Sequence, residues 1–87
     1  MLHYNLGNEF RLARRLDRAL EHYAKAVVLF PGYPEAHASR GLVLQLLGDL
    51  DGAARAYAQA RALHPGLPGL DENLSAMRHE REAAKAR

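Results

Sequence analysis

Five histidines, ten acidic residues and a run of arginines are the side chains of this sequence best suited to chemistry. The histidines are His3, His22, His37, His64 and His79. A zinc-hydrolase helix needs two histidines four residues apart with a glutamate between them, and no pair here has that spacing. No Ser-His-Asp order, glycine-rich phosphate loop or isolated carboxylate pair is present either. The chain has no cysteine, which excludes disulfides, thiolate metal sites and cysteine nucleophiles. The expectation is a protein that is not an enzyme and carries no cofactor and no metal.

The arginines remain. Arg11, Arg14, Arg15 and Arg18 form a basic patch that could hold phosphate or nucleic acid. No aromatic residues are interleaved to stack on bases, so a solvated edge is the better reading and nucleic acid is disfavoured. The formal charge of +2, from 12 Lys+Arg against 10 Asp+Glu, is also too balanced to point to a polyanion. The longest apolar run, Ala26 to Phe30, cannot span a bilayer, and the start lacks the form of a signal peptide. A cytoplasmic protein without membrane contact is expected.

What positions these residues is a repeat. Shifted by 34, His3 falls on His37, Gly7 on Gly41, Asp17 on Asp51, Ala19 on Ala53 and Tyr23 on Tyr57. Pro31-Gly32 falls on Pro65-Gly66, and Pro34 on Pro68. In all, 13 of 34 positions are identical between residues 1–34 and 35–68, without a gap. A fixed period of this length means stacked units, each burying its apolar face on the next. Neighbouring copies of one site, such as His3 and His37, then lie about 8–10 Å apart, too far to share a metal ion.

Inside each unit the apolar residues step by four, as Leu2, Leu6 and Phe10 do, or Leu16, Leu20 and Ala24. Breakers fall between these stripes. Gly48 suits a left-handed helix end. Asp17 and Asp51 suit helix starts, and Pro34 and Pro68 suit first turns. The spacing predicts five helices, at roughly 2–13, 17–30, 34–47, 51–63 and 68–86, joined by loops short enough to make neighbours antiparallel. The fifth has a narrow apolar seam of Leu70, Leu74 and Met77, with charge elsewhere and Lys85 and Arg87 at its end. That is the pattern of a terminal cap.

These residues resemble the tetratricopeptide repeat, a 34-residue helix–turn–helix unit. His3, Leu6-Gly7, Phe10, Ala19, Tyr23, Ala26 and Pro31 carry the pattern in the first unit. His37, Gly41, Leu44, Gly48, Ala53, Tyr57, Ala60 and Pro65 carry it in the second. Gly7 and Gly41 are small where two helices cross, and Tyr23 and Tyr57 fill the space beside them. Histidine replaces the usual tryptophan at 3 and 37, and Arg40 replaces leucine. Arg14 replaces the turn glycine, so a looser first turn is expected. The resemblance implies an all-α fold: antiparallel helix–turn–helix repeats stacked into a short right-handed α-solenoid of five helices. It would form one domain over 1–87, with repeats at about 1–33 and 34–67 and a capping helix at about 68–87.

The resemblance also implies a concave groove lined by the first helix of each repeat. Carried over position by position, it presents Tyr4, Asn8, Arg11 and Leu12, then Glu35, Ala38, Leu42 and Gln45, then Glu72, Asn73 and Ala76. Such a surface, apolar and polar without dominant charge, suits an extended peptide or an amphipathic helix of a protein partner. Some family members clamp a C-terminal carboxylate with lysine, arginine and asparagine. The matching residues here are Tyr4, Asn8, Ser39, Gly69 and Asn73, which lack every cation, so that clamp is rejected. An asparagine ladder like that of glycosyltransferase-linked arrays is sketched by Asn5 and Asn73, with Ser39 between.

Leu2 and Leu6 lie on the face that a preceding repeat would cover. Two expectations follow: a homodimer through the N-terminal helix, or an origin in a longer array, an oligomerising or spacer fragment of a larger, glycosyltransferase-type protein with no ligand of its own.

Overall fold

Helices form where the four-residue stripes lie. In the computed structural model, which describes residues 1–86, they are α1 (Leu2–Leu12), α2 (Leu16–Leu29), α3 (Pro34–Leu46), α4 (Leu50–Leu63) and α5 (Leu70–Lys85). No strand occurs among the described residues, and Arg87, expected at the end of the last helix, lies outside them. The helices pack as successive neighbours, α1 on α2, α2 on α3, α3 on α4 and α4 on α5. Lighter contacts join α1 to α3 and α3 to α5, so the first helices of the units share one side. The body measures 39 × 28 × 19 Å.

Each hairpin turns on one left-handed residue. Gly48 has φ 90°, and Arg14 adopts the same region at φ 63°. The Asp49 amide donates to the Leu44 carbonyl at 2.9 Å and the Gly48 amide to that of Gln45 at 3.0 Å. Repeat one copies both bonds: Arg15 to Phe10 at 2.8 Å and Arg14 to Arg11 at 3.0 Å. This pairing closes a helix end by satisfying its free carbonyls. The first turn is therefore as tight as the second, against expectation, because Arg14 accepts the backbone strain.

At the helix starts Asp17 and Asp51 lie in first turns as expected, but neither is the capping residue. The cap of α4 is Asp49, whose Oδ1 accepts the Gly52 amide at 2.9 Å. Asp51 lies inside the first turn, exposed, and pairs with Arg81 at 3.0 Å. In α2 the capping position holds Arg15, which makes no such bond, and Asp17 serves only as an acidic residue in the first turn. Pro34 opens α3 as expected. Pro68 does not open α5: Gly69, at φ 81°, breaks the chain there and delays the helix to Leu70.

Two tyrosines fix the hairpins. Tyr23 and Tyr57 are fully buried. A Cβ on Gly7 would fall 2.6 Å from Tyr23 Cε1, and one on Gly41 would fall 3.0 Å from Tyr57 Cδ1. The rings thus lie on bare helix backbone, which only glycine permits. One core cluster joins Ala19, Tyr23 and Val43. The other joins α3, α4 and α5 through Leu44, Ala53, Ala56, Tyr57, Ala60, Leu70 and Met77, and Leu20 touches both.

The register shows what stacking does. At one repeat position Leu2 is 69% exposed, Ala36 0% and Leu70 1%. At another, Val43 and Met77 are buried while Glu9 is exposed. The polar residue stands where no described helix covers it, and the apolar ones stand at joints. α5 packs on the second repeat by burying Leu70 and Met77, while most of its charged residues are exposed.

Candidate functional site

The shared side formed by α1, α3 and α5 contains a cavity of about 210 Å³. It is lined by Tyr4, Glu35, Ala38, Ser39, Leu42, Leu67, Pro68 and Asn73. Helix α1 supplies Tyr4, α3 supplies the next four, and α5 supplies Asn73. The link between α4 and α5 supplies Leu67 and Pro68. Of the groove residues expected from the sequence, Tyr4, Glu35, Ala38, Leu42 and Asn73 meet in this one concavity.

Asn8, Arg11 and Gln45 serve elsewhere. The Tyr23 hydroxyl donates to Asn8 Oδ1 and accepts from Arg11 Nε at 3.2 Å. The Tyr57 hydroxyl donates to Gln45 Oε1 at 2.8 Å, and Gln45 Nε2 donates to Glu80 Oε1 at 2.9 Å. Arg11 and Gln45 are 34 residues apart, so the same repeat position satisfies the buried tyrosine in both units. A buried phenol without a partner is costly, and these three polar side chains remove that cost. Burial, reinforced by Glu80, pushes the Tyr57 hydroxyl up to about 12.

The remaining expected groove residues lie outside the cavity lining. Leu12 is 76% exposed, and Glu72 and Ala76 are exposed on α5. Of the ladder residues, Asn73 lines the cavity with Ser39, whereas Asn5 is exposed on α1 outside it. Leu67 and the neighbouring Tyr33 are not singled out by the sequence, and Pro68 stands there only as a helix-start residue. Their signal was available: Tyr33 and Leu67 are repeat counterparts, each just before a proline. Tyr33 packs edge-on against Tyr4, with ring centroids 5.2 Å apart and planes at 85°.

The histidines divide. His37 is buried, and its Nε2 donates to the Pro31 carbonyl at 2.8 Å, tying α3 to the preceding turn. His3 does not repeat that bond. Its Nδ1 lies 3.2 Å from Nδ1 of His22, a pairing that spacing along the chain gave no reason to expect. In such a bond one ring donates and the other accepts, which links α1 to α2. No cluster of three metal-ligating side chains occurs among the described residues. No described helix is long and apolar enough to cross a membrane.

Two helical hairpins and a fifth helix, stacked in register around a common concave side, define a helical-repeat protein. A family model of the tetratricopeptide repeat matches residues 1–33 and again residues 34–67, and the chain belongs to that family. Such repeats generally mediate protein–protein interaction, and the family is typically non-catalytic. No curated protein matches the chain.

Proposed function

We propose that the chain is a non-catalytic interaction module that holds an extended segment of a partner protein in the cavity between α1, α3 and α5. The observation that carries this reading is the convergence of Tyr4, Glu35, Ala38, Leu42 and Asn73 on one concavity. Tyr4, Ala38 and Leu42 offer apolar contact. Ser39 and Asn73 offer hydrogen bonds to a peptide backbone. A cysteine-free sequence is compatible with the reducing cytoplasm.

The test is partner capture by the whole chain, read by mass spectrometry. Leu42→Glu should lose the captured partner, while Gln59→Glu, an exposed change on α4, should keep it. Retention by Leu42→Glu sinks the reading. Asn8→Ala is a poor probe, because Asn8 holds Tyr23.

A second reading, self-association, is favoured by a separate observation. Leu2, Val28, Leu29 and Phe30 are 69, 79, 59 and 52% exposed near the front of the stack. Leu2, Leu29 and Phe30 also line a cavity of about 340 Å³ with Met1, His3 and Ala26. Exposed apolar patches mark interfaces, and a second copy meeting face to face would cover this one. A strictly monomeric mass by light scattering at high concentration would remove it.

A further inference from the structure

We infer that the α1–α3 end of the cleft is a subsite for a positively charged side chain, arginine or lysine, of the bound segment, formed by Tyr4 and Glu35 of the cavity lining together with Tyr33, which packs on Tyr4 at its edge. The inference rests on the groove-binding reading above and specifies the partner's chemistry.

Three observations carry it. The first is the aromatic corner. Tyr4 and Tyr33 stand nearly perpendicular, at 85° with centroids 5.2 Å apart. Tyr4 is backed by Tyr23, at 6.0 Å and 48°. Tyr23 is fully buried with its hydroxyl held by Asn8 and Arg11, so the Tyr4 ring has a firm support. A cation placed against the faces of such rings is attracted by their negative π-clouds, and arginine stacks there best.

The second is charge. Glu35 is the sole charged side chain lining the cavity. It makes no ion pair among the described residues, where the one salt bridge is Arg81 to Asp51. Arg11, the expected groove cation, spends its Nε–H on the Tyr23 hydroxyl. The cleft is thus acidic in a chain whose net charge is +2. The third is proximity. Tyr4 and Glu35 line the same cavity, and Tyr33 packs on Tyr4; the Tyr33 hydroxyl is accordingly raised above its ordinary value by burial first, then by Glu35 and by Tyr4.

Glu35 also sits in the first turn of α3, where any carboxylate favours the helix dipole. The dipole accounts for an acidic residue there. It does not account for two crossed tyrosines beside it. Their repeat counterparts are Ala38 and Leu67, and that of Glu35 is Gly69, so the constellation is not built into the repeat.

The experiment titrates the isotope-labelled chain with acetyl-Gly-Ala-Arg-Ala-Gly-amide, and with the lysine and glutamine versions, following backbone amide resonances. The arginine and lysine peptides should shift Tyr4, Tyr33, Glu35 and Ser39. They should bind roughly threefold to tenfold more tightly than the glutamine peptide. Glu35→Gln, which preserves shape, should erase that preference, and Tyr33→Leu should weaken the arginine peptide most. Equal binding of the glutamine peptide at the same residues overturns the cation subsite and leaves groove binding standing. A preference that survives Glu35→Gln, or shifts confined to other residues, also overturns it. Failure of groove binding itself is read separately, in the partner capture by Leu42→Glu.

Discussion

Arg14 and Gly48 stand 34 residues apart and share one backbone conformation, left-handed at φ 63° and 90°. The hydrogen bonds around them match, so the turn demands this geometry whichever residue occupies it. An L-residue in that region costs about 1–2 kcal/mol that glycine does not.

Arg14→Gly should therefore stabilise the chain. Glycine's greater freedom when unfolded offsets part of the gain, leaving about 0.5–1 kcal/mol, or roughly 2–8 °C in a domain of this size. Gly48→Arg should lose about 1 kcal/mol. Thermal and urea unfolding followed by circular dichroism measure both. An unchanged midpoint in Arg14→Gly would show that the arginine side chain compensates.

Gly7→Ala and Gly41→Ala should differ. Alanine gains about 1 kcal/mol of helix propensity over glycine at both sites. At Gly7 the new Cβ would fall 2.6 Å from a ring held by Asn8 and Arg11, and overpacking of this kind costs about 1–3 kcal/mol. At Gly41 the approach is 3.0 Å, and small shifts relieve it. Gly7→Ala should come out the less stable of the two by about 1 kcal/mol in chemical denaturation.

The repeat made the fold readable, because one pattern was printed twice in register. Tyr23 over Gly7 and Tyr57 over Gly41 follow from the resemblance to the repeat family, whose pattern sets a small residue beside a large one. What escaped notice depended on side-chain direction. Repeat position places Asn8, Arg11 and Gln45 in the groove, yet each bonds the tyrosine hydroxyl of the second helix in its own hairpin. The pairing of His3 with His22 crosses two helices and leaves no trace in spacing. Tyr33 lies in a link rather than on a groove helix, where the repeat pattern assigns no groove position. The α5 start was misplaced because Gly69, where repeat two has Glu35, outweighed the proline before it.

The reassigned cap is testable against its neighbour. Asp49→Ala removes the bond to the Gly52 amide and should cost about 1 kcal/mol. Asp51→Ala removes an ion pair whose partners are 36% and 74% exposed, and should cost less than about 0.5 kcal/mol. The same denaturation series ranks the two. A larger loss at Asp51 would restore the sequence reading.

Tyr57 gives a pH dependence. Its hydroxyl is raised from 10.0 to about 12, by burial first and then by Glu80. Between those values the unfolded chain has released the proton and the native chain retains it. The contribution is therefore intact below pH 10 and disappears as pH rises toward about 12. Ultraviolet titration of tyrosinate should show a late-ionising group that is lost in Tyr57→Phe. Ionisation of all four tyrosines in one early step would contradict it.

Leu2 and Leu70 occupy the same repeat position at 69% and 1% exposure, so one substitution should have two outcomes. Leu70→Ala empties a packed joint between α4 and α5 and should cost about 2–5 kcal/mol. Leu2→Ala in a monomer removes little buried surface and should stay within about 0.5 kcal/mol. The comparison also reports on association. If copies meet through the front face, Leu2→Ala must lower the midpoint more at high protein concentration than at low, since binding stabilises by mass action. A small loss independent of concentration leaves Leu2 exposed in solution as it is in the structure, and the self-association reading falls with it.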